Sequence, residues 1–321
     1  MLIISVILIN ACLFYHIVLA KCRPNVLPSL HTQIAAGSDF HIPLNFTTYQ
    51  SQSHCKGSTT LVTQLSADRI SRFVLQANWW SSNGSAPIVA SIAVFNDDQY
   101  DYVLKTLSSM SHSCISVAVV PLEKDSRFPV NTLRNIALSF VSTPFLLNID
   151  VDLLPFPKGV GSSLTGIPSC GLILPAFELQ NLIPVPQTKH ELKAMVNDGS
   201  ILPFKHQCKN CHGMTQFKKW LNNDKDYDTD YQSVNAEPYF IVETKGAVRF
   251  DERFCYGYRN RVSNVYALSK RLRFRVKGDV YLLHLPHDSP SFQHRLQLGC
   301  PGINKSQLVK LWETYQMEIS K

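Results

Sequence analysis

Nothing in this sequence repeats, and no low-complexity linker interrupts it, which leaves residues 57–300 to be read as one domain. Charged residues are scarce, at 17% against 45% hydrophobic, and that excludes an intrinsically disordered chain. The net charge of +7 is spread thinly, with only Lys270-Arg271-Leu272-Arg273-Phe274-Arg275 forming a local cluster. Nucleic-acid binding is therefore disfavoured, while a basic balance suits an acidic ligand such as a nucleotide diphosphate. A second Cys-X-X-Cys is missing too. Without it, the stretch "HQCKNCH" offers only Cys208 and Cys211, flanked by His206 and His212, for zinc, and a disulfide is the better reading.

What is present begins with "LIISVILINACLFYHIVLA", 19 residues without a formal charge, followed by Lys21 and Arg23. Residues 1–20 read as a secretory signal, with Val18-Leu19-Ala20 as its small-residue cleavage site, or as a signal-anchor. Positive charges after the segment and none before it beyond the N-terminal amine weigh against the anchor. Either way the remainder is expected in the secretory pathway. Sequons at Asn45, Asn83 and Asn304 agree with that, as do eight cysteines beyond the leader, whose pairing the sequence leaves open.

Residues 21–56 lack periodicity and read as a stem or irregular entry. From Thr59 strands and helices alternate: "TTLVTQL", then a helix through "SADRISRFVLQANWW" with Ser66 as N-cap, then "IVASIAVF", a helix through "DQYDYVLKTLSSM", and "ISVAVV". The next helix, "PVNTLRNIALSFV", begins at Pro129 and repeats its apolar positions at helical spacing; "FLLNID" follows it. Nearly continuous apolar strands between helices predict a parallel sheet covered on both faces. The second half is more mixed: "GLILPAF", helices near "TKHELKAMV" and "TQFKKWLN", then "PYFIVE" and "VYLLHLPH", with a C-terminal helix in 301–321.

In such a sheet ligands bind beyond the carboxyl ends of the strands, and Asp150-Val-Asp152 lies at that end of "FLLNID". Carboxylate oxygens suit a hard divalent ion, manganese or magnesium, which would neutralise a diphosphate. A solvated turn offers the same triplet, but the apolar flanks Leu153, Leu154 and Phe156 argue against one. His284 ends another apolar run, with His287 three residues on, so Asp150, Asp152 and His284 make a sensible manganese sphere.

In this order, "TLVTQLSADRI", "RFPVNTLRNIALSFVSTPFLLNIDVDLLP", "ILPAFE", "AEPYFIV" and "YLLHLPHDSPSF" resemble glycosyltransferase family 49, the LARGE-type and β-1,4-glucuronyltransferase-like family, from about Thr59 to about Phe292. The resemblance implies a GT-A type, Rossmann-like mixed sheet flanked by helices, in a Golgi-lumen enzyme that uses a UDP-sugar and manganese to modify a glycan or glycoprotein acceptor. It implies Asp150, Asp152 and His284 as metal ligands, and Gln64, Ser66 and Arg69 as a uridine cradle. Asn131, Arg134 and Asn135 form a polar stripe on the preceding helix, of which Asn131 and Arg134 are donor-contacting candidates along with His287. His212 matches a family position near acceptor or donor.

Inverting transfer needs a carboxylate base, for which Glu237 in "AEPY" and Asp251 in "RFDERF" are the candidates, Glu237 preferred. The alternative role for Asp251 is to cap a helix. One departure stands out: where the family has a glycine-rich turn, this chain has "CYGYRNRV", with Gly257 displaced and Arg259 intruding. That bears on the sugar moved, so glucuronate competes with xylose or N-acetylglucosamine, and with a catalytically silent glycan-binding relative.

Overall fold

The computed structural model describes residues 46–287 and 304–320, apart from 52–54, 83, 111–112, 124–125, 127, 182, 209 and 255–257. The leader and the sequons at Asn45 and Asn83 lie outside the described residues, as do Cys22, Cys255, Gly257 and Cys300. No helix among the described residues is long and apolar enough to cross a membrane.

Two sheets build the fold. The larger has nine strands. Its parallel half is β2 (Thr59–Ser66), β3 (Ile88–Val94), β4 (Ile115–Pro121) and β5 (Phe145–Asn148), in the order β4-β3-β2-β5. All eight residues of β2 are buried, so its apolar run reflects cover on both faces. One face meets the helix α1 (Ile70–Trp80), whose Ile70, Phe73, Ala77 and Trp80 share a core with Leu61, Leu65, Ile88 and Ile92. The helix α2 (Asp97–Ser109) adds Val103 and Leu107 to that core. The other face takes Leu133 and Ile136 of α3 (Val130–Leu138), packed with Ala93, Ala118 and Val120.

Three departures from the sequence reading have local causes. The first is β1 (Thr47–Gln50), inside the stretch read as a stem; it pairs antiparallel with β4 at the sheet edge. The second is the segment "GLILPAF". It is two strands, β7 (Cys170–Leu174) and β8 (Ala176–Leu179), in different sheets. Pro175 stands between them and has no N–H to offer a ladder. The third is orientation: β11 (Tyr239–Glu243) enters between β5 and β7 antiparallel to both, so the sheet is mixed, as the family resemblance implies, and not the wholly parallel sheet that the apolar runs alone predict.

The smaller sheet, in the order β6-β13-β8-β9, joins β6 (Leu153–Phe156), β13 (Tyr281–His284), β8 and β9 (Ile201–Pro203). The acidic triplet bridges the two sheets. The chain leaves β5 at Asn148, passes Asp150 and Asp152, and enters β6 at Leu153. Antiparallel pairing sets His284 opposite Leu153, and the Leu285 N–H donates to the Asp152 carbonyl at 3.0 Å. Sheet register thus brings residues 152 and 284 together.

Gly278 opens the turn into β13 because nothing larger fits: a Cβ there would meet the Asp224 carbonyl oxygen at 2.4 Å. Its amide donates to Asp226 at 2.9 Å, fixing the turn further. Gly278→Ala should cost about 1–3 kcal/mol of stability by overpacking against backbone that cannot swing aside, measured by denaturant melts. The C-terminal helix, Lys305–Ile319, is capped by Asn304 and docks through Trp312 and Tyr315 on Phe254 and Tyr266.

Candidate active site

A cleft of about 520 Å³ opens at the carboxyl ends of β2 and β5, within the usual size of small-molecule sites. Gln64, Ser66, Arg69, Arg134, Asp150, Asp152, Glu237, His212, His284 and His287 all line it. Its cations are Arg69, Arg134, Lys205, Arg259 and Arg261, five against the carboxylates of Asp150, Asp152 and Glu237. Two positive charges remain in excess, and an anionic ligand would balance them.

Each acidic residue of the triplet has its own partners. Asp150 accepts from Gln64 at 2.9 Å, Arg261 at 3.0 Å and Arg134 at 3.3 Å through Oδ1, and from the Tyr239 hydroxyl at 2.7 Å through Oδ2. Asp152 accepts from Arg69 at 2.9 and 3.0 Å, and Arg72 and His287 lie 3.3 and 3.5 Å away. Each carboxylate is thus compensated by its own cations, and neither depends on a metal for its countercharge. Burial opposes ionisation of Asp150, but Arg261 and Arg134, with hydrogen bonds from Tyr239 and Gln64, hold its carboxyl well below the usual range.

Helix α1 serves this loop along one face. Arg69 precedes it, and Arg72 and Gln76 follow at three- and four-residue steps. Arg72 also donates to the Pro286 carbonyl at 2.9 Å, and Gln76 to the carbonyls of Asp150 at 3.0 Å and Leu153 at 2.8 Å. Periodicity could have found Arg72 and Gln76. Nothing in the sequence announces Tyr239 or Arg261, which the antiparallel β11 and the start of α6 (Val262–Ser269) deliver.

Among the described residues, one group could hold a metal: the ligand atoms of Asp152, His284 and His287 lie within 4.8 Å of one another. A carboxylate with two imidazoles suits manganese, and Asp150 is not among the three. Burial lowers His284, opposed by Asp152, which favours the neutral ring that a ligand must be.

Other sequence candidates are dispersed. Glu237 lines the cleft, 2.6 Å from Lys205. Asp251 is outside it: its carboxylate is taken by Arg253 at 2.6 Å and by the Arg253 amide at 2.9 Å, closing a turn rather than capping a helix. Asn131 is outside as well. It is buried and donates to the carbonyls of Asp251, Phe254 and Asn260, while Asn135 grips Phe250 and Glu252, so the polar stripe fastens those five residues. Ser66 sits before a 3₁₀ turn, Ala67–Arg69, and donates to the Asp68 carboxylate instead of capping α1. Arg259 has a left-handed φ of 48° and lies 4.3 Å over the Trp312 ring.

Cys55–Cys114 and Cys208–Cys211 are disulfides, and Cys170 is a buried free thiol. The zinc reading of residues 206–212 fails on that bond, which consumes both thiolates; His206 turns to Glu178 at 3.1 Å. His212 is buried. Burial, with Lys205 and Arg261 nearby, lowers its pKa to about 3. An unfolded histidine titrates near 6.5, so below that pH the unfolded chain binds a proton the native ring refuses. Stability on this account is full above about pH 6.5 and falls by roughly 1.4 kcal/mol per pH unit below it. His212→Leu should remove about 2 kcal/mol of the loss between pH 7 and pH 5, as read by paired melts.

Fold and cleft together define an α/β protein with a cation-rich, metal-capable cleft at its strand ends. A family profile described as a glycosyl-transferase for dystroglycan matches residues 118–294, more than half of the chain, and the chain belongs to that family. Its large sheet is mixed and flanked by helices. The chain is 29% identical over 246 residues to the xylosyl- and glucuronyltransferase LARGE1 of Gallus gallus, covering 73% of this chain and 32% of that protein. It is 30% identical over 284 residues to LARGE2s of Gallus gallus, covering 82% and 36%. It thus spans about a third of the length of these relatives. Among solved structures, S. aureus TarS with UDP-GlcNAc aligns at a TM-score of 0.47 and 12% identity, covering 81% of this chain and 66% of that one, too slight a likeness to bear on fold or function.

Proposed function

We propose that this chain is a metal-dependent glycosyltransferase that moves a sugar, glucuronate, from a UDP-sugar to a hydroxyl of a glycan or glycoprotein acceptor, with inversion. The observation that carries this is the convergence of Asp152, His284 and His287 within 4.8 Å in a cleft with excess positive charge. Asp152, His284 and His287 would hold a divalent ion there, whose charge would offset that of the diphosphate leaving group. Arg69 and Arg72 hold Asp152 from the helix side and lie at hand for phosphate oxygens. Gln64 and Ser66 line the end of the cleft where β2 stops, as a nucleoside cradle. Glu237 takes the proton of the acceptor hydroxyl as it attacks the anomeric carbon, and Lys205 holds that carboxylate in place.

An acidic sugar fits the cleft's surplus of cations. Xylose is the second reading, favoured by the relatives' names, which couple xylosyl and glucuronyl transfer. UDP release, measured over a panel of UDP-sugars with manganese and glycan acceptors, tests both. Highest turnover with UDP-glucuronate is expected, and no turnover with any donor would leave a silent glycan-binding protein. Residence in the Golgi lumen belongs to the same proposal. Asn304 uses its side-chain oxygen to cap the C-terminal helix, accepting from the Gln307 amide, so a glycan on its nitrogen is compatible with the cap. Expression in a glycosylating cell should give a product that shrinks on endoglycosidase treatment; an unglycosylated cytosolic product would overturn the assignment.

A further inference from the structure

We propose that Arg259 is a specificity-determining residue that binds the carboxylate of a uronate sugar in this cleft. The proposal rests on the nucleotide-sugar reading above and assigns the group that reads a sugar rather than the phosphates.

The partners of the cleft's cations single this arginine out. Arg69 pairs with Asp152, Arg134 and Arg261 share Asp150, and Lys205 pairs with Glu237. Arg259 alone of the five has no carboxylate at ion-pair distance among the described residues. It is nevertheless held in place. Its Nη1 donates to the Val234 carbonyl at 3.2 Å and to the Asn235 side-chain oxygen at 3.1 Å. The guanidinium carbon lies 4.3 Å from the ring centroid of Trp312 and 5.9 Å from that of Tyr258. Its backbone keeps a left-handed φ of 48°, which a residue with a Cβ adopts only at a cost. The residue also falls in the turn where this chain departs from its family.

The donors left over define the ligand. A guanidinium carries five N–H groups in a rigid fork, and both anchoring bonds are made by Nη1. The edge formed by Nε and Nη2 has no hydrogen-bond partner among the described residues. Two parallel N–H donors on one edge match the two oxygens of a carboxylate. Arg259 lines the cleft with Asn235 and Glu237, and its anchors at 234 and 235 lead directly into Glu237. It therefore stands on the side of the proposed base and pairs with neither acid of the triplet. Sugars of donor and acceptor meet beside the base, so a uronate carboxylate on one of them is the anion that reaches this edge.

Initial rates of the full chain with manganese test this in two arms. The donor arm compares UDP-glucuronate with UDP-glucose, which differ only in the carboxylate. The acceptor arm compares an acidic glycan with its carboxyl-reduced form at one donor. Wild type should prefer the acid by at least about tenfold in kcat/KM in one arm, and Arg259→Gln should cut that preference to about twofold or less. The arm that responds identifies the sugar that is read. Arg259→Lys, which keeps the charge but loses the fork, should retain an intermediate preference. Each preference is a ratio within one protein, so a variant that folds in low yield still reports it. UDP affinity, measured by calorimetry, should not change in either variant. Full preference in both arms for Arg259→Gln, weakened binding of UDP itself, or a wild type that prefers the acid in neither arm overturns the proposal. A wild type that turns over no donor would refute the transferase reading, and this proposal with it.

Discussion

Asp152→Asn should abolish the stabilisation that manganese and UDP together give the wild type, and should lower turnover at least a hundredfold, about 2.7 kcal/mol of transition-state stabilisation. The substitution keeps the shape of the side chain but removes the one charged member of the Asp152, His284, His287 cluster. Its effect on the metal-free protein is different from what two repelling carboxylates would give. Because Arg69 and Arg72 already compensate Asp152, its loss should lower metal-free stability slightly, by up to about 1 kcal/mol for partly exposed pairs. His284→Ala and His287→Ala should weaken manganese to similar degrees, since both rings belong to the cluster. A variant that melts far below wild type yet still gains stability from manganese plus UDP would make Asp152 a structural residue.

Glu237→Gln is the second large effect. A carboxylate acting as general base contributes about 10²–10⁴ in rate, so the turnover number should fall by at least a hundredfold. Manganese binding should stay as it is, because Glu237 is not in the metal cluster; its ion partner is Lys205, and its charge also acts on Arg261. Asp251→Asn serves as the control. It loosens Arg253, which also joins Glu318 of the C-terminal helix at 2.6 Å, so stability should drop while the rate of the folded enzyme survives. Single-turnover rates with saturating donor separate the two, and equal rate losses would remove the special role given to Glu237.

The parallel half of the sheet and the position of the acidic triplet were legible because both are written locally. Continuous apolar runs such as Thr59–Ser66 mean cover on two faces, and the triplet follows such a run directly. His284 was legible for the same reason, as the end of an apolar strand. Partners supplied by distant pairings were not. Tyr239 reaches Asp150 because β11 runs antiparallel to β5, and Arg261 because a loop of mixed composition folds back over Asn148. No periodicity encodes either. Asn131 illustrates the opposite error: its place on a polar helical stripe suggested a ligand contact, but tertiary packing spends that amide on three backbone carbonyls. Pro175 was a visible signal that residues 170–179 could not be one ladder-forming strand.

Isothermal titration of the wild-type protein with UDP, in manganese and again in EDTA, tests the central claim most directly. The account predicts saturable UDP binding in both buffers, tighter by at least tenfold with manganese, because the metal cluster and the arginines act on the same diphosphate. Binding that is absent in both buffers, or that ignores manganese, would contradict it.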